Sequence, residues 1–375
     1  MSKLIPLFDI SRQHNILKDD FKNIFSKIIE ASSFTYGKET DDFQKLFAKM
    51  HDSKFALGIR SGTASLWVSL KALDLGPGDE VITTPATFSA TVDAIILVGA
   101  KPVFADVDPL TGNLDPANVE KKITKKTKAI LVVHLYGVPA DMDSFVKIVK
   151  KNNLFLIEDA SHAHGSEFMG KKVGSFGNFG CFSLYPSKSL GSLGNAGVIT
   201  SNSSRLIKKA EQYAHHGIKD KSRKYIHSLV GMNELIDNIQ SAFLLRKLRF
   251  FPSWVKKRRE IVKKYNRVFR EFGCNGMVYG EKTNPNFYVF SVQIKNRKNF
   301  QEFMEKNGIS TGVYYQTPLH LQPSMKFLGY KKGDFPLAEM FAKQTVSLPL
   351  FPELTDQEIF RIEKAIKDYF ICEKK

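Results

Sequence analysis

"FSLYPSKSLGSLGNAGV" (residues 182–198) sets one lysine, Lys188, inside a stretch that otherwise favours burial. Apolar residues lead in, Pro186 and Ser187 come just before the lysine, and Gly191, Gly194 and Gly197 follow it. A lysine is seldom fully buried without a partner. When desolvated it has a lowered pKa, which makes its amine nucleophilic near neutral pH. The other reading is a surface lysine in a turn. What the rest of the chain offers this amine decides between them.

Outward from that stretch, short β-rich runs alternate with amphipathic windows from about residue 54. "KFALGI" reads as a strand and "SGTASLWVSLKAL" as a helix with Leu66, Leu70 and Leu73 on one stripe. The strand–helix alternation continues through "DEVITTP", "SATVDAIILVG", "KPVFADVD", "NVEKKI", "KAILVVHLYG", "DMDSFVKIVKKNN" and "LFLIEDA". Strands separated by helices of this length imply crossover units and a mostly parallel sheet covered on both faces. "GCFSLY" and "GVITSN" follow with no helix between them, so part of the sheet is expected to be antiparallel. "SRLIKKAEQYAHH" reads as helix, and so does nearly all of residues 233–272, with a break near Pro252. Past Asn284 come a strand ("FYVFSVQI"), a helix ("RKNFQEFMEKNG") and a last helix opening with Thr355 and Glu358 at capping-box spacing. The expected organisation is a large domain over residues 1–250, including the start of a helical connector, and a small α+β domain over residues 251–375.

The chain's 375 residues suit two or so domains, and its 43% hydrophobic and 25% charged content is that of a globular protein. Three scattered cysteines argue against a disulfide framework, and no Cys/His spacing suits a metal. "MSKLIPLFDISRQ" lacks the pattern of a signal peptide, and no apolar run approaches the roughly 20 residues of a membrane span. A cytoplasmic protein is expected. The net charge of +17 is spread as KK and KKR pairs on apparent helix faces, so neither nucleic acid nor membrane is an expected partner.

Four features fall at strand ends, where α/β folds bind ligands. In "RSGTAS", Gly62 and Thr63 begin a helix after a strand; free N–H groups there suit a phosphate, although a plain cap has the same signature. Phe88 in "TFSAT" is either core or a platform for a planar ring. In "LFLIEDASHAHG", Asp159 ends an apolar strand and precedes His162 and His164; its carboxylate can hold a cationic ring nitrogen or simply cap a turn. Ser183 stands five residues before Lys188. Together, a phosphate cup, a flat aromatic, a carboxylate and a buried lysine describe a site for pyridoxal 5′-phosphate.

The blocks "GPGDEVITTPATFSAT", "EDASHAHG", "GSFGNFGCFSLYPSKSLGSLGNAG", "GMNELIDNIQSA" and "YYQTPLHLQP" resemble those of the DegT/DnrJ/EryC1/StrS sugar aminotransferases. The resemblance runs from "YGKETDDFQKLFA" to "LPLFPELTDQEI", nearly the whole chain. It implies an α/β fold of PLP type I, like aspartate aminotransferase, with a mixed, mostly parallel seven-stranded sheet and a small C-terminal domain. It also implies a homodimer with shared active sites. By matching position, Lys188 is implied as the lysine that carries the cofactor as a Schiff base. Asp159 matches the partner of the ring nitrogen, Phe88 the stacked aromatic, and His162 a contact to the ring hydroxyl. Thr63, Ala64 and Ser183 match the phosphate site, and Asn233 an asparagine reaching in from the neighbouring subunit. His320 and Tyr314, in the block near the sugar nucleotide, are the substrate-side candidates; a loop histidine with no such role is equally open.

The chain departs from the family at "NELIDN", where Leu235 replaces an arginine and Asn238 an acid, at Asn195-Ala196 within a glycine-flanked turn, and at "HHG". The implied activity is transfer of an amino group from glutamate to a nucleotide-linked 3- or 4-keto sugar, for surface polysaccharide or related glycans. A dehydratase of the family, with histidine in place of the lysine, fits Lys188 poorly. A non-catalytic regulator would be free to lose cofactor-site residues that this chain keeps.

Overall fold

A computed structural model describes residues 4–219 and 225–373. Three helices open the chain: α1 (Ile10–Ile16), α2 (Lys18–Ala31) and α3 (Lys38–Met50). Strand β1 (Phe55–Ile59) leads into α4 (Gly62–Ala72), followed by β2 (Glu80–Thr83), α5 (Ala90–Leu97), β3 (Lys101–Phe104), α6 (Pro116–Glu120), β4 (Thr127–Val133), α7 (Met142–Asn152) and β5 (Phe155–Asp159). The short strands β6 (Glu167–Phe168) and β7 (Lys171–Lys172) precede β8 (Phe179–Ser183) and β9 (Gly197–Ser201). Helices α8 (Ser204–Ala214), α9 (Asn238–Leu248) and α10 (Phe251–Glu271) come next. The chain closes with β10 (Thr283–Asn284), β11 (Phe290–Gln293), α11 (Arg297–Lys306), α12 (Pro336–Gln344), β12 (Thr345–Leu348) and α13 (Asp356–Glu373).

The main sheet has seven strands in the order β1-β9-β8-β5-β4-β2-β3. β5 pairs in parallel with β4 and β8, and β2 with β3 and β4, while β9 runs antiparallel to both β8 and β1. The reversal at β9 is the one expected where no helix separates "GCFSLY" from "GVITSN". The parallel strands are apolar on both faces because both are covered. In β4, Ala129, Leu131 and Val133 face the core shared with α4, α5 and α8, whereas Ile130 and Val132 face the core shared with α6 and α7. Each such fully buried large aliphatic side chain contributes roughly 1.5–3 kcal/mol.

A separate core joins α10, α11 and α13 to β11 and β12 through Tyr265, Phe269, Phe290, Phe300, Val346, Ile362 and Ile366, and takes in Ile5 from the N-terminal segment. The capping box at the start of α13 forms: Glu358 accepts from the Thr355 N–H at 2.9 Å, and the Thr355 hydroxyl accepts from the Glu358 N–H at 3.2 Å. The expected helix over residues 233–272 is corrected. Residues 233–237 are extended, with Ile236 N–H bonded to Gly58 O at 3.1 Å and Leu235 bridged to Ile59. Backbone pairing with the β1 edge outweighs local helical preference there. The break falls at residues 249–250, and Pro252 sits in the first turn of α10, where its missing N–H costs nothing.

The paired acids at the end of β5 divide by strand alternation. Glu158 has no exposed surface and accepts four donors: Gly174 N at 2.7 Å, Phe176 N and Gly177 N at 2.8 Å, and His134 Nε2 at 3.2 Å. His134 Nδ1 accepts from Ala140 N, which assigns the proton to Nε2. Glu158 therefore anchors the loop leading into β8. Replacing it with glutamine turns an NH2 against N–H donors. Glu158→Gln is expected to lower unfolding free energy by about 3 kcal/mol in chemical denaturation; a loss below about 1 kcal/mol would contradict this anchoring role.

Candidate active site

The C-terminal ends of β1, β2, β4, β5 and β8 surround a cavity of about 350 Å3, within the range of small-molecule sites. Its floor depends on a close approach. A Cβ at Gly62 would stand 2.6 Å from Ser183 Cβ, so only glycine lets the start of α4 reach the end of β8. Ser61 caps α4 by accepting from Ala64 N at 3.0 Å. Ala64 N–H is thereby engaged, while Gly62 and Thr63, whose N–H groups at the helix start have no partner within the helix, line the cavity. Ser183 lies beside them.

Asp159 is 6% exposed at the end of β5. Its carboxylate accepts from the Thr91 hydroxyl at 2.8 Å and from Ser161 N at 3.1 Å. Thr91 thus donates to Asp159, which leaves Thr87, 3.0 Å away, as donor to Thr91. Lys188 extends into the same cavity, with its Nζ 4.7 Å from the centre of the Tyr288 ring. Burial pushes its pKa down to about 8, against the opposing pull of Asp159.

His162 stacks on Tyr288 at 4.5 Å and 25°. Burial, and then the nearby Lys188 charge, hold its pKa well below the usual value, so the ring is neutral. Its Nδ1 accepts from Tyr136 N at 3.3 Å, which assigns the proton to Nε2. Phe88 also lines the cavity, with 57% of its surface exposed. Tyr314 also lines the cavity; burial raises its phenol to about 12.

Gly62, Thr63, Phe88, Asp159, His162, Ser183, Lys188 and Tyr314 are therefore brought together. Ala64, whose N–H is taken up by Ser61, His320 and Asn233 are not. The His320 ring is buried, bonded through Nε2 to Glu339 at 3.0 Å and packed edge-on against Phe335. Asn233 is exposed on a ribbon where it bridges His215. Asn195 and Ala196, one of the departures from the family pattern, line the cavity. Asn238, another, is wholly buried and structural: it donates to Ser33 O and Glu39 and accepts from Thr40. Sequence reasoning missed Thr91, Ser161, Tyr288 and Tyr315. Thr91 was legible, one helical turn beyond Phe88 in the quoted "TFSAT"; Tyr288 has no local motif to mark it.

The model of the DegT/DnrJ/EryC1/StrS aminotransferase family matches residues 15–367. The chain belongs to this family. It is 38% identical to a Geobacillus stearothermophilus protein named pleiotropic regulatory protein, over 98% of both chains. It is 35% identical to dTDP-3-amino-3,6-dideoxy-alpha-D-galactopyranose transaminase of Aneurinibacillus thermoaerophilus, over 98% of this chain and 99% of that one. Among solved structures it superposes on Streptomyces venezuelae DesV, crystallised with a ketimine intermediate, with a TM-score of 0.94 and 31% identity over 98% of this chain and 99% of that one. It also superposes on NtdA of Bacillus subtilis with bound cofactor PMP, with a TM-score of 0.91 and 28% identity over 99% of this chain and 86% of that one. The fold is that of the PLP type I aminotransferases, as the resemblance implied. Among the described residues no helix is long and apolar enough to cross a membrane, and no cluster of metal-ligating side chains occurs.

The depressed pKa of Lys188 has a direct readout. In cofactor-free protein, labelling by an amine-reactive reagent, followed peptide by peptide, is expected to reach half its maximal rate at Lys188 near pH 8. The ordinary value for a lysine is about 10.4. A Lys188 midpoint at that ordinary value would contradict its desolvation.

Proposed function

We propose that this aminotransferase binds pyridoxal phosphate in the 350 Å3 cavity and moves an amino group from glutamate to a nucleotide-linked 3- or 4-keto deoxysugar. The observation that carries the reading is the meeting of a desolvated lysine and a nearly buried, hydrogen-bonded carboxylate beside a helix N-terminus.

The residues fit the cofactor group by group. Gly62 and Thr63 N–H donors, with the Ser183 hydroxyl, suit its phosphate at the positive end of α4. Phe88 offers a face for its ring and His162 a proton at Nε2 for its ring oxygen. Asp159, oriented by Thr91 and Ser161, favours the protonated ring nitrogen. Bound there, pyridoxal phosphate supplies an electron sink that makes the Cα–H of an amino acid acidic.

Lys188 then works at its own Nζ. The amine would hold the cofactor, be freed when the amino donor arrives, take the proton from the donor's Cα and deliver it to the cofactor carbon that bears the transferred nitrogen. A group with a pKa close to the working pH does this most effectively. His162 and Tyr288 limit water on that side. The amino acceptor meets Tyr314, Tyr315 and Asn195 at the cavity wall.

The active unit in this reading is a cytoplasmic homodimer. The exposed Asn233 supports it, as do Tyr225 (91% exposed) and Val230 (92% exposed), apolar side chains that a partner subunit could cover. In such a dimer Asn233 reaches the phosphate of the partner's cofactor. The two-unit division at residue 250 belongs to the same proposal, with α10 at the start of the second unit.

The test is a two-step half-reaction. Glutamate added to the cofactor-loaded enzyme is expected to remove its visible absorbance at roughly 400–430 nm, where the lysine-bound cofactor absorbs. One of a panel of nucleotide-linked keto-sugars is then expected to restore it. Asp159→Asn should slow the first step on the order of 100-fold. Flat traces for glutamate and every sugar would overturn the reading and favour a regulatory role on the same scaffold.

A further inference from the structure

Lys247 has no exposed surface, and nothing in the chemistry above uses it. Its helix, α9, packs against the turn that carries Lys188. The Lys247 Nζ donates to Gly191 O at 2.6 Å and lies 3.2 Å from His14 Nε2 on α1. Its other cationic contact is the Phe21 ring on α2, 6.0 Å away. Seven residues earlier on α9, Gln240 Oε1 accepts from Leu193 N at 3.1 Å. Residues spaced by seven share one helix face. The helix thus grips the turn at a carbonyl and at an amide two residues apart.

The turn itself is stiff. Ser192 N donates to Leu184 O and Leu184 N to Ala196 O, both at 2.8 Å. The Ser192 hydroxyl also donates to Leu184 O, at 2.7 Å. At Gly191 a Cβ would stand 2.2 Å from Pro186 O, so the backbone there is pressed against the residues just before Lys188. A stiff turn moves as a unit, and its placement is set by what grips it from outside.

Two titratable groups face Lys247. Burial lowers its own pKa to about 8, while the Glu353 carboxylate acts in the opposite direction. Burial and the Lys247 charge lower the pKa of His14, which leaves its Nε2 free to accept. An apolar residue of similar size would avoid the desolvation cost of a buried cation. The lysine therefore serves placement better than it serves stability.

We propose that Lys247, together with Gln240, is a positioning residue for amino transfer: its bond to Gly191 O sets where the 184–197 turn lies, and so where the Lys188 amine stands relative to Asp159 and Tyr288. This rests on the reading of Lys188 as the reactive lysine.

Lys247→Met keeps chain length and removes the donor. In the cofactor-free variant the Lys188 labelling midpoint is expected to move upward from the wild-type value, as a displaced turn admits water. In the loaded variant the half-reaction with glutamate should slow by about 10- to 100-fold, the scale of a misplacement near 1 Å. A lower melting temperature with the midpoint and the rate both unchanged would overturn the proposal, since a structural role alone predicts that outcome. Should Lys247→Met not fold, Gln240→Leu, which removes the companion bond to Leu193 N, is read in the same two ways. The labelling arm needs no substrate. A shifted midpoint in a protein inert toward glutamate therefore counts against the proposed function and not against the placement.

Discussion

Everything in the site depends on how little water reaches one amine. Lys188 Nζ sits over the Tyr288 ring, beside a neutral histidine and in the field of Asp159, and the balance leaves its pKa near 8. More water would return it to an ordinary, protonated lysine; a closer carboxylate would fix its charge. The fold holds both conditions at once. Asp159 is turned toward Thr91 and Ser161, which occupy its oxygens, and the aromatic wall comes from a distant part of the chain.

Those parts converge because parallel strands end together. Five strand ends form one rim, and alternation along β5 sends Glu158 into the scaffold and Asp159 into the cavity. Only the absence of a side chain at Gly62 lets the helix N-terminus reach that rim. Arg258 donates to the carbonyls of Phe287, Tyr288 and Leu350 and so supports the Tyr288 wall of the cavity, while Lys247 grips the turn that carries Lys188.

Much of this was legible in the sequence where the determinants are local. Strand–helix alternation, the missing helix between β8 and β9, and the Gly62, Asp159 and Lys188 junctions each carry their signal within a few residues. Residues 233–237 were not legible. Their apolar spacing suits a helix, and only the edge of β1, nearly 180 positions away in the chain, makes them extended. Tyr288 and Lys247 were missed for the same reason, since their roles arise from contacts with a turn about 50 to 100 positions away. His320 shows the converse. A histidine in a suggestive block turned inward to Glu339 and Phe335, a choice set by burial.

The covalent role proposed for Lys188 is supported by membership of the aminotransferase family and by the arrangement of the cavity. The most direct measurement is borohydride reduction of the protein incubated with pyridoxal phosphate, followed by peptide mass analysis of wild type and Lys188→Ala. The account predicts a cofactor-mass addition on the peptide containing Lys188 in wild type and its loss from the variant. Stoichiometric addition at another lysine in wild type, with none at Lys188, would contradict it.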